Sequence, residues 1–305
     1  MKNNMYYNFN MLGERLIDTL EKSDLVDIRN KLLSIDKSTL CCGVGGSSVV
    51  SQFVSKVLSE KNHIITMNVN SRDMLYRNIN CFKNIFICSY GGNNLGVDIS
   101  LDNNLNKYLF STREIDNICN LNYKSNMSKE YSFISLGATL IPMAILLNYY
   151  LDGELSIIYD VMSCDCEYKV NDNFIYEVLS GYEDSSATKF IESTMIESGI
   201  GISVIHDKYD YCHGRSTMSY YYPSNLILFN NGSELDNLYI NLLKDYYDQI
   251  IVIDKKYDDP IVNDFYFTYQ SMLLCKQIAE KRNMDLSKVK YSPLVKSLYR
   301  YSGNI

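Results

Sequence analysis

The sequence predicts an α/β protein built from two tandem units, each a mainly parallel sheet with helices on both faces. Three observations carry this expectation. Short, wholly apolar runs alternate with longer helical patterns, as strands buried on both faces require. The order strand, glycine turn, helix begins again after roughly 150 residues, a duplication and not a short-period solenoid. The chain has 305 residues, of which 46% are hydrophobic and 21% charged, enough apolar material for two cores.

Taken in order, "STLCCGV" (38–44) reads as a buried strand. "SVVSQFVSKVLSE" (48–60) follows as a helix, with apolar residues at 49, 50, 53, 54, 57 and 58. "HIITMN" is the next strand, "SRDMLYRNIN" (71–80) the next helix, and "KNIFICSY" (83–90) a third strand. After "GGNN" comes "LGVDISLDNNL" as a helix, and "NLNYKSNMSKEYS" (120–132) reads as polar and turn-like. "FISLGATLIPMAILLNYYL" (133–151) has 19 uncharged residues, near the length of a membrane span. It also holds Ser, Thr, Asn, Tyr and Pro142, is followed by Asp152 and Glu154, and has no flanking Lys/Arg cluster. We read it as a core or interface helix and expect no membrane association.

The second half repeats the pattern. "FIYEVLSGYEDSSATKFIESTMIES" (174–198) gives strand, glycine turn and helix. "SNLILFNNGSELDNLYINLLKDY" (224–246) echoes the strand and Asn/Gly turn at 83–94, "QIIVIDK" is a further strand, and "FYFTYQSMLLCKQIAEKRN" a closing helix. The boundary falls near Leu151 to Glu154, giving domains 1–152 and 153–305.

The net charge is −7, which argues against a dedicated nucleic-acid binder, since that would present a basic face. A small anionic ligand remains compatible, because clustered N–H donors bind anions within an acidic protein. The nine cysteines are odd in number and lack a secretory spacing, and "MKNNMYYNFNMLGERL" lacks an apolar leader region. Reduced thiols in a cytoplasmic protein fit both facts. Cys164-Asp165-Cys166 has the wrong spacing for a zinc knuckle, so no metal is expected.

Gly43-Val44-Gly45-Gly46-Ser47 lies at a strand-to-helix turn, and such turns open many α/β folds. The second turn, Ser89-Tyr90-Gly91-Gly92-Asn93-Asn94, adds specificity. Together they resemble the two ligand loops of the SIS (sugar isomerase) domain, whose second loop usually reads Ser-x-Ser-Gly-x-Thr. The chain resembles duplicated SIS proteins such as the isomerase half of glucosamine-6-phosphate synthase and related sugar-phosphate isomerases and deglycases. The resemblance implies two three-layer α/β/α domains with flavodoxin-like sheets, a phosphosugar ligand, no cofactor, and a homodimer whose active site is shared between subunits.

A phosphate dianion needs several N–H or hydroxyl donors. Ser47 with the amides of Gly45 and Gly46 in the turn that Gly43 opens, and Ser89 with the amides after it at Tyr90, Gly91 and Gly92 and with Asn94 as a further donor, are the candidates. Isomerising a ketose to an aldose moves a proton between adjacent carbons, which calls for a carboxylate base. Glu197 falls on the position of the family's catalytic glutamate; read without the resemblance, it is a solvated helix residue like Glu192. His213, in "YDYCHGRSTM", falls on the family's histidine, which reaches the site from the neighbouring subunit and serves ring opening. Without the resemblance it is a loop histidine. Lys296, in "LVKS", matches the family's active-site tail and would form a Schiff base or neutralise an enolate. His63 and His206 read as structural.

The second loop departs from the family pattern by losing the second serine and the threonine. Thr194 stands where the synthase carries a lysine. Tyr90, Tyr182, Tyr209 and Tyr211 add aromatic surface suited to stacking on a sugar or base. The primary expectation is a sugar-phosphate isomerase or deglycase. The alternative is a catalytically silent SIS module that senses a phosphosugar or nucleotide-like ligand and regulates a partner. A dinucleotide-dependent oxidoreductase is disfavoured, because "HIITMNVN" ends in Asn70 where ribose recognition prefers an acid.

Overall fold

The computed structural model describes residues 4–92, 94–127, 130, 135–288 and 290. They include two compact units, one of residues 7–127, 130 and 135–153, the other of residues 154–287 with 4–6. Three helices open the chain, α1 (Met5–Asn10), α2 (Leu12–Lys22) and α3 (Leu25–Leu33). Then β1 (Thr39–Gly43), α4 (Gly46–Asn62), β2 (Thr66–Val69), β3 (Asn84–Cys88), α5 (Leu95–Leu101), β4 (Asn106–Ser111), β5 (Cys119–Asn122) and α6 (Leu136–Tyr150) complete the first unit. The strands run in the order β2-β1-β3-β4-β5, all parallel, with Gly43 in register with Cys88.

Every residue of β1 and β3 is buried, which is why both read as unbroken apolar runs. On α2 the buried residues are Leu12, Arg15, Leu16, Thr19 and Leu20, the stripe of a helix covering a core, with one arginine inside it. Asp24 caps α3 by accepting from the Asp27 amide at 2.9 Å. His63 closes α4 in the left-handed conformation, φ +55°. Buried residues run almost continuously along α6 from Leu136 to Tyr149, so its apolar run marks a helix enclosed on all sides. Among the described residues, no helix is long and apolar enough to cross a membrane.

The second unit contains α7 (Ser156–Met162), β6 (Ile175–Ser180), α8 (Ser185–Ser198), β7 (Ile202–Asp207), α9 (Thr217–Tyr221), β8 (Asn225–Asn230), α10 (Glu234–Leu243), β9 (Gln249–Asp254) and α11 (Pro260–Lys281). Its sheet is parallel, in the order β7-β6-β8-β9. Proline at the first position of α11 and Asp259, which accepts from the amides of Ile261 and Val262, start that helix cleanly.

Three expectations need correction. The helix expected over 71–80 reduces to a 3-10 turn, Ser71–Leu75, because Asn70 and Asn78 accept from the amides two residues on and draw the backbone into turns. The polar stretch 120–132 begins inside an edge strand, β5, where Asn120 bonds the backbone of Ile115 and pins the loop before it. Tyr211 is also not available for stacking: it is 1% exposed and its hydroxyl bonds that of Tyr247. Tyr247 and Ser224 donate in turn to Glu177, a fully buried carboxylate that His206 Nε2 meets at 2.9 Å. His206 thus belongs to the second unit's interior.

Candidate functional site

In an open parallel sheet, ligands bind beyond the carboxyl ends of the strands where the strand order reverses. In the first unit the chain passes from β1 to β2 on one side and then crosses back to β3 on the other side of β1, so that crevice lies between the loops after β1 and β3. Both glycine turns identified in the sequence are these loops.

The first loop is held by its glycines. A Cβ on Gly43 would lie 2.1 Å from the Ser47 carbonyl oxygen, so only hydrogen fits under the incoming helix. Gly45 has φ +62° and ψ −135°, a conformation essentially confined to glycine. Its carbonyl accepts from the Ser48 amide at 2.9 Å and the Ser48 hydroxyl at 2.6 Å. The 17-residue α4 therefore begins at Gly46 with its first amides directed outward from the helix end, beside the half-buried Ser47.

The second loop is organised around Ser89, which is 3% exposed. Its hydroxyl oxygen accepts from the Gly92 amide at 3.1 Å and from Asn94 Nδ2 at 3.3 Å, leaving its proton as the donor toward a ligand. Asn94 is also the N-cap of α5, accepting from the Val97 amide at 3.1 Å. One of the expected donors is thus directed inward, toward Ser89. The Tyr90 carbonyl accepts from the Thr112 amide and hydroxyl, and Gly92 has φ +61°. Gly91 lies in the same bend, while Asn93 falls outside the described residues. Val44 ties the loops together, since a Cβ on Gly96 would lie 2.4 Å from Val44 Cγ2.

Under the loops, burial pushes the Cys42 thiol up to about 11 and the Cys88 thiol well above its usual value. Both are protonated, and neither is poised as a nucleophile.

The equivalent crevice of the second unit is filled from within. Lys208, immediately after β7, places Nζ 3.0 Å from Asp184 and 3.2 Å from Asp236, and donates to the Phe229 carbonyl. All three residues are at most 2% exposed. Asp184, at the start of α8, also accepts from the Gly181 amide and the Ser180 and Thr188 hydroxyls. Burial pushes its carboxyl up to about 6 against the pull of Lys208. Burial opposes the charge on Lys208, but the two aspartates outweigh it and hold the ammonium ionised.

No family model matches the chain, and no curated protein matches it. Solved structures do match along most of its length. Tagatose-6-phosphate ketose/aldose isomerase from Escherichia coli superposes with a TM-score of 0.71 at 11% identity, covering 95% of this chain and 96% of that one. The C-terminal domain of glucosamine-fructose-6-phosphate aminotransferase from Francisella tularensis gives 0.66 at 12% identity, covering 94% and 98%. Glucosamine-6-phosphate deaminase from Thermotoga maritima gives 0.62 at 15% identity, covering 90% and 98%. The chain has the tandem SIS fold.

Within this fold the expected site residues do not all come together. Glu197 is exposed in the last turn of α8 and accepts from the Ser193 hydroxyl at 2.7 Å. His213 is exposed after β7, at a kink where Gly214 has φ +90°. The two lie at opposite ends of β7, whose six residues span roughly 20 Å at ~3.3 Å each. Within the second unit, then, one copy does not join them. Thr194 is buried on α8, and Lys296 lies outside the described residues. Among the described residues, no group of three or more His, Cys, Asp or Glu is arranged to hold a metal ion.

Sequence reasoning missed Glu130, which accepts from the Gly137 amide at 2.8 Å at the start of α6, next to the first loop. Burial pushes its carboxyl up to about 7, although the amides of Gly137, Leu136 and Ala138 and the charge of Arg15 oppose this. Because the folded value is raised, this group's contribution to stability is complete below pH ~4.5 and is lost as pH rises through about 7. Glu130→Gln, which cannot ionise, should gain on the wild type across that window by about 3 kcal/mol. Melting temperatures of both proteins from pH 4.5 to 8 test this; a constant difference would refute it.

Proposed function

We propose that the protein binds a sugar phosphate through the loops after β1 and β3 and acts on it as a sugar-phosphate isomerase or deglycase. The observation that carries this reading is the contrast between the two crevices. In the first unit, Ser47, Ser89 and the first amides of α4 present donors; in the second, Asp184 and Lys208 fill the equivalent place. The structural neighbours that act on tagatose 6-phosphate and glucosamine 6-phosphate support the same ligand class.

In the reaction, Glu197 moves the proton between the carbons, His213 serves ring opening, and Lys296 takes the open-chain carbonyl or its enolate. His213 comes from a second copy, in keeping with its separation from Glu197 within one chain, so the active species is a cytoplasmic homodimer. The sensing reading is favoured by one feature, the absence of the synthase's lysine at Thr194, a turn before Glu197.

Fructose 6-phosphate, glucosamine 6-phosphate and fructosamine 6-phosphates, tested first by melting shift and then by proton exchange from water, separate the readings. Glu197→Gln should abolish exchange while leaving the melting shift and the stability of the free protein unchanged. Binding without exchange in the wild type would establish a sensor. If no phosphosugar raises the melting temperature, both readings fail.

A further inference from the structure

Cys164-Asp165-Cys166 leaves the end of α7 and is tied to α11, both in the second unit. Gln270 Nε2 donates to the Cys164 carbonyl at 3.1 Å, and Gln277 Nε2 to the Cys166 carbonyl at 2.7 Å. The two glutamines stand about two turns apart on one face of α11. Carbonyls two residues apart thus turn the same way, as in extended backbone, where side chains two apart also share a face. At about 3.3 Å per residue their Cα atoms are roughly 6.6 Å apart, within the ~4.4–6.8 Å that a disulfide spans.

Both sulfurs meet polar partners. Cys164 Sγ accepts from Lys256 Nζ at 2.9 Å and, as a thiol, donates to the Asp160 carbonyl at 3.1 Å. Asp160 also fixes the lysine: its Oδ2 lies 2.7 Å from Lys256 Nζ and accepts from the Tyr257 hydroxyl at 2.6 Å. The bonds to Asp160 and then to Cys164 raise the titration of the Lys256 amine, so it stays an ammonium. Cys166 Sγ lies 3.9 Å from the Tyr266 hydroxyl, and the Tyr266 ring meets that of Tyr257 edge-on, centroids 5.9 Å apart. The two thiols border one aromatic pair. Both are half-buried and within reach of a small solute, whereas Cys41, Cys42, Cys88 and Cys275 are buried.

We propose that Cys164 and Cys166 form a redox-active dithiol that hydrogen peroxide oxidises to a disulfide, Cys164 attacking the peroxide and Cys166 resolving the product. The thiolate is the attacking form, and the Lys256 ammonium remains its hydrogen-bond partner once the Cys164 proton is gone. The Cys164 sulfur takes one peroxide oxygen as the O–O bond breaks, giving a sulfenic acid and hydroxide, which takes up the proton that Cys164 lost. The Cys166 sulfur then displaces the sulfenic oxygen as water and the S–S bond forms. Two thiols and one peroxide thus become one disulfide and two waters. A bridge closed across a single residue is strained and readily reduced, so a small dithiol returns both thiols by exchange. The pair is independent of the phosphosugar reading, since both glycine loops belong to the first unit.

Treating the whole protein with limiting hydrogen peroxide and following each cysteine by mass spectrometry tests the pair. Exposure alone would rank Cys81 and Cys212 first, since both are more exposed than Cys164. The expected result is that Cys164 and Cys166 react first, the intact chain loses two hydrogens, and dithiothreitol restores them. Lys256→Met should slow oxidation of Cys164 about 3- to 10-fold, the worth of one partly exposed charge-assisted bond, while leaving Cys81 unchanged. In Cys166→Ser the sulfenic acid on Cys164 should persist and be trapped by dimedone. Earlier oxidation of Cys81 or Cys212, or no effect of Lys256→Met on Cys164, would overturn the site. A wild-type product that gains oxygen and keeps the Cys166 thiol would overturn the pairing. The ranking among cysteines is read on the wild type, so it decides the matter even if a variant fails to fold.

Discussion

Lys208→Met is expected to lose about 3–5 kcal/mol of folding stability, the usual consequence of removing one partner from a buried ion cluster. The attraction itself is not the main term. Lys208 sits within 3.2 Å of two buried carboxyl groups, and without it Asp184 and Asp236 are left together with no countercharge at hand. Restoring neutrality should restore stability, so adding Asp184→Asn and Asp236→Asn should recover much of the loss. The loss should also shrink on acidification. The Asp184 carboxyl titrates near 6 even beside Lys208, and removing the cation raises it further, so protons neutralise the cluster. Urea denaturation at pH 5 and pH 8 measures both effects. A loss below about 1 kcal/mol at pH 8, in the range of an exposed ion pair, would show that the cluster is solvated.

Gly43→Ala should disable the first glycine loop as the proposed phosphate site. The added methyl would meet the Ser47 carbonyl oxygen at 2.1 Å and its carbon at 2.5 Å, and both belong to the backbone of the first turn of α4. Overpacking of this kind costs about 1–3 kcal/mol, and here no flexible side chain can yield, so the helix start must move. Moving it withdraws the Ser47 hydroxyl and the first amides together. Loss of two charge-assisted bonds weakens fructose 6-phosphate binding by about 100-fold or more. Gly13→Ala is the control, since nothing lies within 4 Å of a Cβ there and alanine suits a helix. Equal affinities for the two variants would exclude the first loop from the binding site.

Both glycine turns were legible before any coordinates because they join strong local signals: an apolar strand, residues that only glycine satisfies, and an amphipathic helix start. The strands β4 and β7 were not. Asn106 and Lys107 open β4 with polar residues, and β7 is an edge strand with Ile202 exposed and His206 inside, so neither shows a clean period. Tyr211 shows the same limit, because "YDY" has the composition of a surface turn while its burial depends on Tyr247, 36 positions away. Lys208 and Arg15 were illegible for a related reason. A charged residue in the sequence carries no mark of burial, and only the convergence of Asp184 and Asp236, or the position of Arg15 within the α2 stripe, reveals it. Glu197 and His213 were found through family spacing alone, and nothing in their local surroundings would have singled them out.

Val44 reaches across from the first loop into the notch left by the missing side chain of Gly96, on the first turn after the second loop. A notch and the peg that fills it cannot be altered independently: a side chain at Gly96 evicts Val44, and a smaller residue at Val44 leaves a void. The two loops are therefore coupled sterically: the position of the first, through Val44, depends on what stands at Gly96, on the helix that the second loop opens.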